Sequence, residues 1–320
     1  MSLAKIIKTI EQHKTFLIST HINPDADALS CELAMALYLK SLGKAVYVIN
    51  ADEVPVRFSF LPSIHLIKNI QERGSIEYDV AIILDCGDLD RIDRVKTLTK
   101  KDKGLMNIDH HLTNDFFGKI NYVQPNASST AEVLFDLFKK AKFSLPKDVA
   151  ILLYLGIMTD TGSFRYDSTT AYTHKVVAEL MKFKFSVSDL YRKLYERVPF
   201  DDLKLFTKVI NRFEKLYDGR VVYIEMRKKT IDKFSAEFDV RDKIFNFLRA
   251  IKGVEVIIIL TEHGPTTTRA NFRSQGDKVN VADLAYFFKG GGHRKASGCM
   301  IPARLNEAKE RLLVQLKKIL

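Results

Sequence analysis

Histidine and aspartate residues cluster near the start of the sequence, in the stretch His-Ile-Asn-Pro-Asp-Ala-Asp at 21–27. His21, Asp25 and Asp27 offer one imidazole and two carboxylates, which together suit a divalent cation of the manganese or zinc type. The structural alternative is a helix cap, in which Asp25 or Asp27 accepts hydrogen bonds from amides at a helix start. Taken alone, this stretch favours the cap, so the decision depends on the rest of the chain.

Three later stretches contain the same residue types after apolar segments, namely Asp85, Asp109-His110-His111 and Asp160. Each also has a structural alternative, because an isolated Asp often caps a helix or a turn and an isolated His often packs in a core. Four separate occurrences are difficult to explain as caps. They indicate one site that is assembled from distant parts of the chain.

The elements that would position these residues alternate along the first 185 residues. Apolar runs predict strands at 15–19, 45–49, 80–84 and 105–108, and helical spacing predicts helices at 29–42, 130–140, 148–155 and 171–183. This alternation predicts an α/β fold with a mainly parallel sheet flanked by helices. The carboxyl ends of the strands would share one edge, where open sheets of this kind bind ligands.

At that edge, six side chains form a candidate ligand set: His21, Asp25, Asp27, Asp85, His110 and Asp160. They exceed the needs of one tetrahedral zinc, but they would supply two cations ~3.5–4 Å apart that share one carboxylate. Without cations, the carboxylates would repel one another. Two such cations lower the pKa of a bridging water and stabilise the attacking and leaving oxygens of a displacement at phosphorus. The mixed oxygen and imidazole donors favour Mn²⁺, with cobalt, iron or magnesium as substitutes.

The remainder of the chain predicts a connector and a second unit. Residues 186–216 are charged, have helical spacing and contain no glycine, which indicates a helical connector. Residues 217–320 predict a smaller α/β domain with strands at 221–226, 254–260, 268–272 and 296–300, and helices at 243–251, 281–288 and 305–320. The predicted domains are therefore 1–185, 186–216 and 217–320.

Two features of the second unit could bind an anion. Arg273 offers a planar, bidentate donor and Ser274 follows it directly. The glycines at 290–292, before His293, would let backbone amides approach a phosphate. The alternative is a glycine-rich turn before a strand. Beside a site for two cations, the anion site is the favoured interpretation.

Composition and charge limit the class of protein. The net charge of +11 over 320 residues favours anionic partners such as nucleotides or nucleic acid, with a solvated lysine-rich face as the alternative. Cys31, Cys86 and Cys299 form no CxxC pair, which argues against a disulfide framework and a zinc knuckle. The apolar runs are too short to span a bilayer and residues 1–10 lack a secretion signal. We therefore expect a cytoplasmic protein without a membrane partner.

The four motifs in the first unit resemble, in order and spacing, those of the DHH phosphoesterase superfamily. The resemblance covers the whole first unit and implies a phosphoesterase with two metal ions. It places His21, Asp25 and Asp85 on one metal. It places Asp27, His110 and Asp160 on the other metal, with Asp85 as the bridge.

The same resemblance implies roles for two further residues. Asp109 would not bind a metal itself, but would accept a hydrogen bond from an imidazole and so orient that ring. His111 would face the phosphate, either as a proton donor to the leaving oxygen or as a charge stabiliser. The segments at 271–274 and 290–298 resemble the DHHA1 domain, whose glycine-rich segment faces the metal cleft. This second resemblance implies a set of substrate-binding residues: Arg273, Ser274, Gly291, Gly292 and His293.

The chain departs from the DHHA1 pattern at Lys289, where relatives often have a fourth glycine. The compact pair of domains is most similar to the bacterial nanoRNase/pAp phosphatase group. That similarity implies hydrolysis of very short RNA or DNA oligonucleotides and of 3′-phosphoadenosine 5′-phosphate.

Three alternatives stay open at this stage. They are a single-strand exonuclease like RecJ, a phosphodiesterase for linear or cyclic dinucleotides, and a nucleotide sensor without catalytic activity. The complete ligand set argues against the sensor. A homodimer is a further expectation, with residues 46–60 as a candidate contact surface.

Overall fold

The protein is described by a computed structural model that covers residues 2–72, 76–100, 102–276 and 278–320, with the side chain of His293 left out. The chain divides into two units, Met1–Glu196 and Arg197–Leu320. The division falls inside the predicted connector, so that its first helix lies in the first unit and its second helix in the second unit. The predicted domain limits stay a prediction.

The first unit is built on a parallel sheet of six strands in the order β3-β2-β1-β4-β5-β6. The strands are β1 (Thr15–Ser19), β2 (Ala45–Asn50), β3 (Ile67–Asn69), β4 (Val80–Leu84), β5 (Gly104–Asp109) and β6 (Ile120–Val123). The strand order reverses between β1 and β4, which makes their carboxyl ends the switch point where open sheets bind ligands. The predicted parallel sheet is confirmed.

Six α-helices belong to the described part of this unit: α1 (Leu3–Gln12), α2 (Ala26–Ser41), α3 (Thr130–Lys140), α4 (Lys147–Asp160), α5 (Ala171–Met181) and α6 (Val187–Tyr195). The main core lies between the sheet and α1 to α5, and alternate strand residues such as Phe16 and Ile18 point into it. Leu17 points to the opposite face, where Ile92 and Val95 of a 3₁₀ segment cover it.

The second unit contains a mixed sheet of six strands in the order β11-β12-β10-β9-β8-β7. Its elements are α7 (Phe200–Ile210), β7 (Glu214–Leu216), β8 (Val221–Met226), α8 (Lys228–Ile231), α9 (Val240–Leu248), β9 (Val256–Gly264), β10 (Thr267–Ser274), α10 (Val281–Phe287), β11 (Gly291–His293), β12 (Ala296–Ile301) and α11 (Leu305–Leu316). Helices α10 and α11 cover one face, and α7 and α9 cover the other. Strands β8 and β9 are parallel and the other described pairs are antiparallel.

The predicted elements agree with the structure where the hydrophobic pattern is strong. The limits of β1, β4, α3 and β8 are those predicted. Helix α2 begins earlier than predicted, at Ala26, because the Asp25 side chain accepts a hydrogen bond from the Ala28 amide and so caps the helix. Strands β3, β6, β7 and β11 were not predicted because they are short and have no apolar run. None of the described helices has the length and apolar content to cross a membrane.

A buried carboxyl group lies beneath the carboxyl ends of β1 and β2. Glu32 of α2 is fully buried, and its Oε2 accepts a hydrogen bond of 2.9 Å from Asn50 Nδ2. Its Oε1 has no hydrogen-bond partner among the residues that the structure describes. Burial raises the pKa of Glu32 to about 8, although the hydrogen bond from Asn50 opposes the shift. Glu32 is therefore protonated at neutral pH in the folded protein.

We expect the substitution Glu32→Gln to remove a pH dependence of stability. The folded carboxyl binds its proton more tightly than the unfolded one, so wild-type stability falls as pH rises from the ordinary Glu pKa to about 8. Glutamine resembles the protonated form, and the variant should be more stable by on the order of 2 kcal/mol at neutral pH. Urea unfolding in chelator at about pH 5 and about pH 8 measures this difference. Equal pH slopes for wild type and variant would contradict it; Glu53→Gln, on the surface, is the matched control.

Candidate metal centre

The predicted metal ligands of the first unit lie together at the carboxyl edge of its sheet, around the carboxylate of Asp85. His21 Nε2 lies 3.8 Å from Asp85 Oδ2. On the other side, His110 Nε2 lies 3.7 Å from Asp85 Oδ1 and 3.2 Å from Asp160 Oδ2. Residues from distant parts of the sequence thus meet at one point.

Possible ligand atoms in this region form three overlapping groups, each with atoms within 4.8 Å of one another. They are His21-Asp25-Asp85, Asp27-His110-Asp160 and Asp85-His110-His111. The first two groups coincide with the two ligand sets that the DHH resemblance implies. Asp85 belongs to the first and third groups, and the third group also contains His110, which the resemblance assigns to the second cation.

The backbone holds the two predicted histidine ligands in one orientation. The Nδ1 atom of His21 lies 2.8 Å from the carbonyl oxygen of Ile22, and Nδ1 of His110 lies 3.3 Å from the carbonyl oxygen of Ala127. With Nδ1 as the donor in both rings, each Nε2 keeps its lone pair for a cation. This arrangement fits imidazoles that serve as metal ligands.

Asp85 itself has an unusual backbone conformation. Its φ of 51° lies in the left-handed region, which aspartate tolerates better than most residues other than glycine. Its amide donates to the carbonyl oxygen of Ile108 (3.1 Å), so the turn after β4 stays attached to β5. The conformation turns the chain directly after β4 and holds the carboxylate between His21 and His110.

Asp27 is held by the first turn of α3. Its Oδ2 accepts a hydrogen bond of 2.8 Å from the Thr130 amide, and its Oδ1 accepts one of 3.1 Å from the Ala131 amide. A carboxylate at a helix N-terminus is stabilised by these free amides and by the helix dipole. Gly156 of α4 is required beside it, because a Cβ there would lie 2.3 Å from Asp27 Oδ1.

The hydroxyl of Thr130 makes a second contact with the site. Thr130 Oγ1 donates a hydrogen bond of 2.8 Å to Asp85 Oδ1, and the residue is fully buried. The same residue therefore holds Asp27 through its amide and Asp85 through its side chain. No sequence motif marks Thr130 as part of the site, because a threonine at the start of a predicted helix indicates no more than a helix cap.

His111 is paired with Asp109. The His111 Nδ1 atom donates to Asp109 Oδ1 at 2.7 Å, and Asp109 Oδ2 accepts a hydrogen bond of 2.6 Å from Asn114 Nδ2. Asn107 continues this network, since its Oδ1 accepts a hydrogen bond of 2.8 Å from the same Asn114 nitrogen. Asn114 ends the stretch Asp-His-His-Leu-Thr-Asn at 109–114, but its residue type alone does not predict that it holds Asp109.

Burial, hydrogen bonds and neighbouring charges shift the pKa values of four groups in this site. Burial and then the repulsion of Asp85 raise the pKa of Asp27 and of Asp160 well above the usual range. Burial alone would lower the pKa of His111, but the hydrogen bond to Asp109 and the nearby carboxylates raise it to about 9. Burial alone would raise the pKa of the Asp109 carboxyl, yet its bonds with His111 and Asn114 lower that pKa to about 2.

This donor set fits divalent cations. Carboxylates accumulate in a nearly buried position, and their mutual repulsion favours protons unless positive charge neutralises them. Oxygen and imidazole donors suit manganese, iron, cobalt or zinc. Behind them, the Ile22 and Ala127 carbonyls, the α3 amides and Thr130 provide the outer contacts that orient ligands in metal sites.

The predicted substrate-binding residues of the second unit have mixed environments. The guanidinium of Arg273 stacks on the ring of Phe245, 4.6 Å from its centroid. Ser274 is buried and its hydroxyl donates to the Arg294 carbonyl oxygen (3.2 Å), which is a structural contact. The His293 side chain lies outside the described residues, although its backbone is in β11.

The glycines of this segment differ in their surroundings. A Cβ at Gly292 would lie 2.5 Å from the Ser297 Cα, and one at Gly290 would lie 2.3 Å from the Gly298 oxygen, so both positions are required by packing against β12. Gly291 borders open space, with a Tyr286 atom 4.0 Å from a would-be Cβ. Lys289, at the departure from the DHHA1 pattern, has a φ of 58°, a conformation that favours glycine.

Comparison with known proteins places these features in a family. The sequence matches the DHH family, N-terminal domain, over residues 15–157 and the DHHA1 domain over residues 218–320. The bifunctional oligoribonuclease and PAP phosphatase NrnA of Bacillus subtilis (strain 168) is 30% identical over 308 residues, which cover 93% of this chain and 92% of that protein. The protein of the same name from Thermus thermophilus is 29% identical over 316 residues, covering 97% and 91%.

One solved structure is similar over nearly the whole chain. It is described as an exopolyphosphatase-related protein from Bacteroides fragilis, with a TM-score of 0.91, 28% identity and coverage of 99% of this chain and 96% of that chain. The fold and the acidic and histidine cluster thus define a two-unit protein of the DHH type. The chain belongs to the DHH family and ends in a DHHA1 domain.

We expect Thr130→Val to weaken metal binding while Thr130→Ser does not. Valine keeps the amide that holds Asp27 but loses the hydroxyl that donates to Asp85. Loss of such an outer contact typically lowers metal affinity about 10-fold or more. Titration calorimetry with Mn²⁺ on the metal-free proteins measures the affinity directly, without a catalytic assay. Equal Mn²⁺ affinities of the valine variant and the wild type would show that the hydroxyl of Thr130 does not contribute to metal binding.

Proposed function

We propose that this protein is a metal-dependent phosphoesterase that hydrolyses short oligonucleotides and 3′-phosphoadenosine 5′-phosphate. The observation that carries the proposal is the position of Asp85 between His21 on one side and His110 with Asp160 on the other. Support also comes from relatives of nearly the same length that are named as oligoribonucleases and PAP phosphatases.

Six residues would hold two divalent cations in this proposal. His21, Asp25 and Asp85 bind one cation. Asp27, His110 and Asp160 bind the other, and Asp85 is shared. We propose Mn²⁺ as the preferred ion because carboxylate and imidazole donors occur together. When bound, the cations supply charge stabilisation at the phosphoryl group and lower the pKa of water.

His111 acts on the phosphate side of the reaction. Asp109 fixes the ring through Nδ1, and Asn114 in turn fixes Asp109. The raised pKa of His111, about 9, keeps the imidazole protonated at neutral pH. His111 can therefore stabilise the developing charge and deliver a proton to the leaving oxygen.

The second unit anchors the part of the substrate that does not react. We propose that Arg273, Ser274 and the segment Gly291, Gly292 and His293 bind a phosphate or a terminal sugar. The proposed domain roles are catalysis for residues 1–185, connection for 186–216 and substrate binding for 217–320. Short substrates are favoured because only a few nucleotides are anchored. A homodimer in the cytoplasm, with short RNA or DNA as substrate, completes the proposal.

A substrate panel tests the proposed function. Purified protein with Mn²⁺ should release mononucleotides from dinucleotides and trinucleotides, and phosphate from 3′-phosphoadenosine 5′-phosphate. Asp85→Ala should abolish turnover of all three. Degradation of long single strands without attack on dinucleotides would favour a RecJ-like exonuclease instead. A strong preference for cyclic dinucleotides would favour the phosphodiesterase alternative. Binding without any turnover would favour a nucleotide sensor.

The role of His111 has its own test. His111→Gln should lower kcat by about 100-fold or more, because a positioned proton donor contributes at least that much. Its metal content, measured by elemental analysis, should stay near that of the wild type. Asp109→Asn removes a contact that raises the pKa of His111, so the alkaline limb of the kcat profile should move to lower pH. Parallel loss of metal and activity in His111→Gln would make His111 a ligand instead.

A further inference from the structure

Strand β10 presents a polar face in the second unit. Its residues alternate, so Ala270 and Phe272 lie in the core under α10 and α11. Arg269, Asn271 and Arg273 therefore point to the opposite face, on the side of α9. The contact of Arg273 with Phe245 of α9 agrees with this orientation. The function proposed above uses Arg273 and leaves Arg269 and Asn271 without a role.

Unpaired polar atoms lie along this face. Thr261 of β9 stands directly opposite Arg269 in the sheet, and Asn271 stands between Ile259 and Gly298. Thr261 Oγ1 and Asn271 Oδ1 are buried and have no hydrogen-bond partner in the described part of the chain. A buried hydroxyl or amide oxygen without a hydrogen-bond partner destabilises the folded protein, so such atoms often belong to a binding site.

A second guanidinium approaches from α9. Arg241 lies one helical turn before Phe245, and so on the same side of that helix. Burial and then the charge of Arg241 lower the pKa of Arg269, while Asp239 acts in the opposite direction. Two neighbouring cations that are partly removed from water attract an anion.

We propose that Arg269, Arg241 and the Thr261 hydroxyl form a second phosphate-binding subsite, separate from Arg273. The Cα atoms of Arg269 and Arg273 are four residues apart in a strand, or about 13 Å. Arginine side chains are long, so guanidinium groups from these two positions can bind two different phosphates of one short strand. The ligand class rests on the proposed function: the subsite takes a phosphate of the oligonucleotide other than the one that Arg273 binds. Guanidinium groups bind phosphate oxygens in a bidentate manner, and the hydroxyl donates a further hydrogen bond.

The test compares three dinucleotides that differ by one phosphate. Titration calorimetry on the full-length protein in chelator measures the binding of ApA, of ApA with a 5′-phosphate and of ApA with a 3′-phosphate. For wild type, one added phosphate should tighten binding by about tenfold or more, as for a charge-assisted pair. Arg269→Gln should lose that gain and bind unmodified ApA with nearly unchanged affinity. Arg269→Lys should keep part of the gain, because it retains the charge.

Arg212→Gln is the matched control, since it removes the same charge from an exposed position of the same unit and should keep the gain. Circular dichroism shows whether Arg269→Gln is folded. If it is not, Arg241→Gln, which removes the guanidinium that α9 contributes, should lose the same gain in affinity. A wild-type protein that gains nothing from either phosphate overturns the subsite, and so does an Arg269→Gln variant that keeps the gain. These binding results do not depend on turnover. Failure of the proposed function would appear separately, as absence of hydrolysis with Mn²⁺.

Discussion

Repulsion between carboxylates dominates the first unit. Asp27, Asp85 and Asp160 meet at the carboxyl edge of the sheet, and the burial of Asp27 and Asp85 limits the screening of their charges by water. A protein that gathers such groups must neutralise them, by protons, by hydrogen bonds or by cations. The structure uses hydrogen bonds for part of this task. The remaining negative charge makes the site suitable for divalent cations.

The outer contacts explain how the site keeps its shape. The first turn of α3 offers two amides to Asp27 and one hydroxyl to Asp85. Carbonyl oxygens fix both histidine rings, and Asn114 fixes Asp109 behind His111. These partners are neutral, so they orient the ligands without cancelling the charge that attracts a cation. The parallel sheet places them together because its strand order reverses at this edge.

In the second unit, the charged groups that lie close together are arginines instead of carboxylates. It presents positive charge on one face of an antiparallel strand, where alternation separates an apolar core from a polar surface. The guanidinium of Arg273 lies over the ring of Phe245, and this contact limits the freedom of the side chain before any ligand binds. The charge of Arg241 lowers the pKa of Arg269 in addition to the effect of burial. A negatively charged substrate would relieve that repulsion, much as cations relieve the repulsion in the first unit.

Local patterns in the sequence were sufficient for the parallel sheet, for the limits of β1, β4, α3 and β8, and for Asp85 and the five predicted residues that lie in the same cluster. Apolar runs reveal buried strands, and the residue that follows such a run lies at a known edge. The early start of α2 was missed because Asp25 both caps the helix and belongs to the cluster. The short strands β3, β6, β7 and β11 were missed because their pairing depends on neighbours from elsewhere in the chain.

The sequence by itself therefore determined which residue types could bind cations and next to which strands and helices they lie. Only the tertiary structure decided which neutral groups hold them, as Thr130 and Asn114 show. The Thr130 amide bonds to a carboxylate 103 positions earlier in the chain, and no local pattern reports a contact of that range. The same holds for Arg269 and Thr261, which meet only through strand register. Periodicity is a local property of the chain, whereas hydrogen-bond partners depend on how distant segments pack.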